Sequence, residues 1–366
     1  MNKNKLLYAA LSGAASVAFA LAPAMAATAS NDTTGADSDN EAEVKIENDV
    51  TILQSNDLDV TNNIDVDSDT GNNSADKNTG DGSVSTGSAS AGVSLSTSGN
   101  SNSLSLDLNG GGDASASNDT TGFDSDNEAE VKVDNDVDVT QVNDADVDND
   151  VDVYAGTGDN SADKNTGDGS VDTGDADVEV QIETDLNSNE LEISMEDGSD
   201  PSASNSNTGA ESDNEAEVEI ENDVDVLQDN DLDVDNDVDV DADSGNNSAD
   251  KNTGDGSVDT GDAEVDVVIE TSGNSNDAEV NAGVEGDFDA SNDTTGFDSE
   301  NEAEIEVDND VDVTQVNDAD VDNDGDIDAE SGDNDADKNT GDGDVDTGDT
   351  DVEVEVSTEV NSNSLD

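Results

Sequence analysis

The sequence predicts an all-β protein, a parallel β-helix or β-solenoid, and three observations lead to this fold class. An 87-residue unit occurs four times without an inserted or deleted residue. Within each unit, small apolar residues alternate with polar or acidic ones, and asparagine interrupts the apolar positions at fixed places. A stack of strands accounts for all three observations, because each residue then has a fixed neighbour in the next copy.

The repeat register divides the chain into a leader and four copies. Ser30, Ser117, Ser204 and Ser291 open the copies at a spacing of 87 residues. We therefore assign residues 1–26 to a leader, 30–116, 117–203 and 204–290 to repeats 1 to 3, and 291–366 to a truncated repeat 4. An Asn-Thr-Gly turn recurs about halfway through a copy, which predicts about four coils of roughly 20 residues per copy, the size of a β-helix rung. Sixteen or so coils at about 4.8 Å would make a rod on the order of 75 Å long.

The stretch after each NTGDG segment shows the alternation most clearly. In copy 1 the apolar parity holds Val84, Ala89, Ala91, Val93 and Leu95, and copy 2 keeps small apolar residues at these places. The intervening serines of copy 1 become aspartate or glutamate in copy 2. One parity therefore faces inward and the other meets solvent, as a β-strand requires.

Asparagines stand in the apolar parity at two sites of each copy. A buried amide is costly unless it is hydrogen-bonded, and identical asparagines stacked at strand spacing satisfy one another in a ladder. The alternative is that each asparagine marks a turn or bulge, where this residue tolerates positive φ. The predicted ladder residues are Asn48, Asn62, Asn135, Asn149, Asn222, Asn236, Asn309 and Asn323.

A second architecture fits the repeat length, namely tandem immunoglobulin-like β-sandwiches of about 87 residues each. It fits the composition poorly, because copy 1 contains no aromatic residue after the leader. Two facing sheets about 10 Å apart normally need some bulky side chains. We keep the sandwich as the alternative to the solenoid.

The first 26 residues have the features of a secretory signal peptide. Lys3 and Lys5 supply the positive charge, residues 6–21 the apolar run, and Ala24-Met25-Ala26 a cleavage site. The sequence therefore predicts a secreted, extracellular protein at the cell surface. The apolar run is short and no second one follows, so we expect no membrane insertion of the mature chain.

Composition after the leader argues against most chemistry. Two of the eight lysines lie in the leader, which leaves six against 99 acidic residues and a side-chain charge of −93. Arginine, histidine, cysteine and tryptophan are absent, which removes disulfides, zinc and haem sites and the Ser-His and Cys-His nucleophile pairs. We therefore predict that the protein is not an enzyme. The strong negative field also disfavours nucleic acid and favours cations as partners.

One segment of copy 4 has the spacing of a calcium loop. Residues 320–328 read DVDNDGDID, and this nine-residue segment resembles the D-x-D-x-D-G-x-x-D loop of EF-hands, dockerins and thrombospondin type 3 repeats. The bidentate glutamate of an EF-hand is replaced by Ser331, and no flanking helices are expected. The candidate calcium ligands are Asp320, Asp322, Asp324, Asp326 and Asp328.

A diffuse mode of cation binding follows from the stacking itself. Carboxylate rows in adjacent coils would lie only about 5 Å apart. At that spacing each like-charged pair costs roughly 1 kcal/mol even in water. We therefore expect calcium, other divalent cations or concentrated salt to stabilise the fold. A solvated acidic surface without defined sites is the alternative.

The NTGDGS and NDVDVD stretches give the mature chain a general resemblance to the Asn/Asp/Gly/Thr-rich tandem-repeat secreted proteins of prokaryotic surfaces. The resemblance implies a structural or adhesive protein of a surface layer, extracellular fibre or biofilm matrix. Exposed strand edges predict self-association into fibres or a surface layer. The second hypothesis is a calcium-sequestering or mineral-interacting chain that stays disordered until ions bind.

Overall fold

The computed structural model describes residues 2–11, 14–20, 27–107, 114–195, 200–283 and 286–366. Within these ranges the chain forms β-strands joined by turns and contains no helix. The predicted all-β class is therefore confirmed. The reason is local, because nearly every strand alternates inward Val, Ile, Ala or Asn with outward Asp, Glu, Ser or Thr.

Twenty-one strands make up a leader and four equivalent coils. The leader has β1 (Asn2–Leu11) and β2 (Ala14–Ala20). Coil 1 has β3 (Ala27–Asp32), β4 (Asp39–Asp69), β5 (Gly82–Ser85) and β6 (Ala89–Asp107). Coil 2 has β7 (Ala114–Asp119), β8 (Asp126–Gly156), β9 (Asn160–Ser161), β10 (Gly169–Asp172) and β11 (Ala176–Ser194). Coil 3 has β12 (Ser202–Ser206), β13 (Asp213–Asp243), β14 (Asn247–Ser248), β15 (Gly256–Asp259) and β16 (Ala263–Asn281). Coil 4 has β17 (Asp289–Asp293), β18 (Glu300–Glu330), β19 (Asn334–Asp335), β20 (Gly343–Asp346) and β21 (Thr350–Leu365).

Each strand of the four coils pairs in parallel with its counterpart 87 residues away. Val50 lies opposite Val137, Val137 opposite Val224, and Val224 opposite Val311. Five parallel sheets result, and every one runs in the order of the coils. The fold is thus the predicted parallel β-solenoid, and the tandem immunoglobulin-like alternative is wrong because its sheets are antiparallel.

The predicted size of the coil is wrong. The pairing offset between the strands of coils 1 to 4 is 87 residues, so one whole repeat makes one coil and a repeat does not contain four coils of 20 residues. The physical reason lies in the core, where each buried amide of a ladder bonds to the equivalent amide of the next coil, 87 residues away. The protein is consequently a short, broad slab, about 100 Å along its 31-residue strands and only about 19 Å high through four coils.

Each coil folds into two layers that face one another. The long strand, β4 in coil 1, forms one layer, and β6 runs back along it in the other. Beyond β6, the first strand of the next coil continues the second layer and packs against the start of the long strand. Val151 and Val153 of β8 thereby meet Val178 and Val180 of β11 in a dry core.

In the second layer, a bulge changes which set of alternate residues faces inward. Asn100 and its equivalents in the other coils have a positive φ, and each is skipped in the strand pairing. Before the bulge Ala91 and Val93 face inward, and after it Leu104 and Leu106 do. The bulge therefore lets both halves of one strand bury their apolar residues.

The leader pairs with the edge of coil 1. Strand β1 lies in parallel beside residues 46–55 of β4, and β2 lies beside residues 101–107 of β6. The predicted cleavage site, Ala24 to Ala26, lies outside the described residues. Within the described ranges, we find no helix with the length and apolarity needed to cross a membrane.

Candidate functional site

The eight asparagines predicted as a ladder lie in two rows along the long strands. In the first row, Asn48 donates to Asn135 at 2.6 Å, and the same bond continues through Asn222 to Asn309. In the second row, Asn62 donates to Asn149 at 2.8 Å, and the row continues through Asn236 to Asn323. None of the eight has a positive φ. At these positions the structure holds the stacked arrangement and not the turn.

A denser set of amides, which sequence reasoning missed, crosses the core between the layers. Asn143 donates to Asn230 in the next coil and to Asn189 in the facing layer, both at 2.9 Å. Asn102 donates to Asn143 at 3.0 Å. Beside them Gln141 donates to Gln54 at 2.7 Å and to the carbonyl oxygen of Glu190. The amides therefore bond both along the stack and across it, which fixes coil register and layer register together.

Invariance among the copies was the signal that could have revealed these amides. Four further ladders keep the same residue in every coil: Gln54, Gln141, Gln228 and Gln315; Asn56, Asn143, Asn230 and Asn317; Asn102, Asn189, Asn276 and Asn363; and Asn100, Asn187, Asn274 and Asn361. The last two ladders were hard to predict because the bulge moves their asparagines to inward positions. Positive φ, proposed as the alternative for Asn48, belongs instead to Asn100 and its equivalents.

The five aspartates of the calcium-loop motif lie on an extended strand. Asp320, Asp322 and Asp324 occupy alternate positions of β18, and Asp326 and Asp328 continue the row. Gly325 lies opposite Val238 in regular pairing and makes no loop turn. An extended strand spreads alternate residues about 6.6 Å apart, so it does not gather the five carboxylates around one point. Calcium binding by these residues stays a prediction.

Each of these aspartates instead ends a column that runs through the coils. Asp320 pairs with Asp233, Asp322 with Asp235, and Asp326 with Asp239. Loss of water contact raises the pKa of Asp233, and the charges of Asp146 and Asp320 on either side raise it further. The same causes raise the pKa of Asp239 between Asp152 and Asp326. Stacking thus makes the ionised form of each column costly.

A second acidic column shows the same effect near the start of the long strands. Burial raises the pKa of Glu130, and the charges of Glu217 and Glu43 add to the shift. Hydrogen bonds can reverse the direction, since the side chains of Asn207 and Ser206 hold the pKa of Asp119 below its usual value. Such a donor also lies beside the long rows of the outer face, where Asn63 donates to Asp150 at 2.9 Å.

Lysine relieves the repulsion at a few places only. The Lys132 Nζ lies 2.6 Å from Glu219 Oε1 in the next coil, and this contact raises the pKa of Lys132. In the turns, the Lys251 Nζ lies 3.3 Å from Asp250 of the same coil. On the surface of the described chain, a few carboxylates are therefore paired with lysine, but the surface as a whole is strongly negative.

One open groove of about 950 Å³ lies where the long strands begin. It is lined by three columns, which start at Asp39, Asn40 and Glu41 and repeat in each coil. The asparagines of the middle column bond to one another, with Asn40 donating to Asn127 at 2.8 Å. In the described parts of the chain, no group of three carboxylates converges as metal ligands do. The groove thus repeats the columnar pattern of the outer face.

Comparison of the chain with protein-family models, with curated proteins and with solved structures finds no match. Its function is therefore argued from its own residues. The interior contains ladders of hydrogen-bonded amides, and the outer surface carries columns of carboxylates. Such a surface can hold cations and present an extended regular face.

Proposed function

We propose that the protein is a secreted structural or adhesive component of a cell surface, extracellular fibre or matrix, stabilised by cations. One observation carries the proposal: the carboxylates of each coil stand directly beside those of the next coil along most of the length of β8, β13 and β18, with interruptions at places such as Lys132, Val142 and Tyr154. In this architecture the outward residues of the long strands form one regular surface. Export through the leader, residues 1–26, would deliver that surface to the cell exterior.

Cations would act on the columns as a whole. Neighbouring strands bring equivalent residues within about 4.8 Å, where a divalent ion can be shared between coils. Because burial, and after it the charges of neighbouring carboxylates, raise the pKa of Asp233 and of Asp239, neutralising that charge should stabilise the folded chain. Ions would thus bind along columns such as Asp146, Asp233 and Asp320.

The same repulsion favours a second function, that of a calcium-sequestering or mineral-interacting protein that folds only when ions bind. The two functions differ in the state of the chain without cations. In the structural protein, the apolar core and the amide ladders hold the fold and ions add stability. In the sequestering protein, repulsion exceeds them and the ion-free chain is disordered.

Circular dichroism and electron microscopy of the purified protein test both functions. The protein would be measured in EDTA at low salt, then through a calcium titration, with potassium chloride of matched ionic strength as the control. The structural proposal expects β-structure in EDTA and a higher melting temperature with calcium. A melting temperature that calcium leaves unchanged would contradict cation stabilisation, and a disordered spectrum in EDTA would favour the sequestering protein.

A further inference from the structure

Coil 4 forms the open edge of all five sheets. Strands β17 to β21 are each terminal in their sheet, so one side of each lacks a strand partner in the described part of the chain. Inward residues are half exposed there: Val354 is 49% exposed while its coil 3 equivalent, Val267, is 1% exposed. Ile305 is likewise 46% exposed and Val218 is 0% exposed. The edge strands β18 and β21 contain no lysine or proline, the residues that commonly block such edges.

The asparagine ladders have a direction, which leaves complementary groups at the two ends of the stack. Each Asn side-chain amide donates toward the coil that follows it, as Asn236 does to Asn323 at 2.7 Å. At the coil 4 end, Nδ2 of Asn309, Asn323 and Asn361 therefore has no acceptor among the described residues.

At the coil 1 end the acceptors are unpaired. Oδ1 of Asn56 and Oδ1 of Asn100 have no hydrogen-bond partner among the residues that the structure describes. Both side chains are buried, with 2% and 1% exposure. A buried amide oxygen without a donor costs free energy, so these two groups call for a donor from outside coil 1.

Charge is also complementary between the two ends. Glu306 of coil 4 occupies the place of Glu219, and Lys45 of coil 1 occupies the place of Lys132. Lys132 and Glu219 form an ion pair at 2.6 Å within the stack. Coil 1 further carries Thr51 and Thr61 where coil 4 carries Asp312 and Asp322. A junction of coil 4 with coil 1 would thus contain less repulsion than a junction of coil 4 with another coil 4.

We propose that coil 4 of one molecule docks on coil 1 of a second copy and continues the parallel sheets in the 87-residue register. In this register Asn317 donates to Asn56, and Asn361 to Asn100, of the second copy. Glu306 meets Lys45 of the second copy in the same column as the Lys132–Glu219 pair, with the order of the two charges along the stack reversed. The inference rests on the proposed function, because cations must neutralise the carboxylate columns that the junction extends. The product is a polar filament with one molecule about every 19 Å.

The leader controls this docking. Strands β1 and β2 occupy the edge of coil 1 along residues 46–55 and 101–107, which is where coil 4 of the second copy would pair. The chain with its leader is therefore capped at one end, and removal of residues 1–26 opens that end. The processed chain keeps every pairing of coils 1 to 4, since the leader contributes only an edge strand to two sheets.

The test compares four proteins in calcium by sedimentation velocity and electron microscopy, with circular dichroism of each. They are the processed chain (27–366), its Val354→Glu and Ser357→Glu variants, and the chain with the leader. Val354→Glu places a charge in the junction, at a position half exposed in the single molecule. Ser357→Glu adds the same charge on the outward side of β21, where coils 2 and 3 carry Glu183 and Glu270.

We expect filaments from the processed chain and from Ser357→Glu, and monomers from Val354→Glu and from the leader-bearing chain. A mixture of Val354→Glu and the leader-bearing chain should give dimers only. The leader-bearing chain supplies a free coil 4, and Val354→Glu supplies a free coil 1.

A processed chain that stays monomeric while its spectrum is β-rich would overturn the docking and leave the proposed function standing. A spectrum that is disordered in calcium would overturn the proposed function instead. Filaments from Val354→Glu would refute the interface, and filaments from the leader-bearing chain would refute the cap.

Discussion

Asn143 donates its side-chain amide to Asn230, 87 residues further along the chain, at 2.9 Å, and both side chains are fully buried. Because Asn143 also bonds to Asn102 and Asn189 of the facing layer, one side chain joins its own strand, β8, to three others. This contact specifies which residue of one coil lies over which residue of the next. A slip of the register by any other number of residues would place a buried amide against a hydrocarbon side chain.

Replacing Asn143 tests how much the ladder contributes to stability. Asn143→Leu keeps the volume but removes the hydrogen bonds that Asn143 makes with Asn56, Asn102 and Asn230, which keep their other partners. Since each lost buried hydrogen bond costs about 1 kcal/mol and Asn143 also loses its bond to the facing layer, we expect the free energy of unfolding to fall by about 3–5 kcal/mol. Urea denaturation in calcium measures it. The control is Asn63→Leu at an exposed position of coil 1, which should change stability by less than about 0.5 kcal/mol.

Close stacking of the turns can be tested at equivalent glycines. A Cβ on Gly209 would overlap the backbone of Gly122 in the preceding coil, whereas a Cβ on Gly35 meets nothing within 4 Å. We therefore expect Gly209→Ala to lower the free energy of unfolding by roughly 2 kcal/mol and Gly35→Ala to have almost no effect. The same urea experiment compares the two. Equal effects would show that the coils are not in contact at this turn.

The loss of unfolding free energy on shortening a core side chain should depend on where its coil lies in the stack. Val267→Ala removes methyl groups that are almost fully buried, so we expect a loss of about 2 kcal/mol. Val354→Ala acts at the same place in coil 4, where the side chain is 49% exposed in the single molecule, and should cost about half as much or less. The measurement is urea unfolding at a protein concentration where sedimentation shows monomers. A larger loss for Val354→Ala would contradict the open edge of coil 4.

The acidic columns predict an unusual dependence of stability on pH. Eleven described carboxyl groups have raised pKa values: Glu128, Glu130, Asp136, Asp144, Asp177, Glu217, Asp223, Asp233, Asp235, Asp239 and Asp241. The pKa is lowered only for Asp76 and Asp119 among the resolved shifts. A raised pKa means that the folded chain binds protons more tightly than the unfolded chain. Stability should therefore fall as the pH rises from about 4 through the raised values.

Thermal unfolding in EDTA at low salt tests whether stability falls as the pH rises. We expect a higher melting temperature at pH 5 than at pH 7. Saturating calcium should reduce or reverse the difference, because protons and calcium compete for the same carboxylates. A melting temperature that is lower at pH 5 in EDTA would show that attractive contacts of ionised carboxylates outweigh their mutual repulsion.

Part of the ladder followed from the sequence and part did not. Asn48 and Asn62 interrupt an otherwise apolar alternation in a single strand, so their inward position was readable from parity alone. Asn100 lies at a bulge that changes the parity and Asn102 follows it, and no glycine marks the bulge in every copy, since the position before Asn100 and its equivalents holds Gly99, Leu186, Gly273 and Val360. Asn56 was hidden in a different way, because its partner Asn102 belongs to the facing layer and is 46 residues away.

The segment with the spacing of a calcium loop lies in a strand for a related reason. A short run of alternating aspartates has the same spacing in a loop and in a strand, and only the neighbouring coil decides between them. Pairing of Gly325 with Val238 holds residues 320–328 in the strand. The carboxylates therefore form columns across coils, with partners that lie 87 residues away.

The sequence by itself determined the strands, the inward and outward faces, and the 87-residue register, because these depend on period-two alternation and on identical residues repeating at a fixed interval. Only the tertiary structure decided that one repeat makes one coil, that two layers face each other, and that the stack ends in an open edge at coil 4. These features depend on which distant amides and apolar side chains meet, and the free energy of those contacts is not encoded in any single segment.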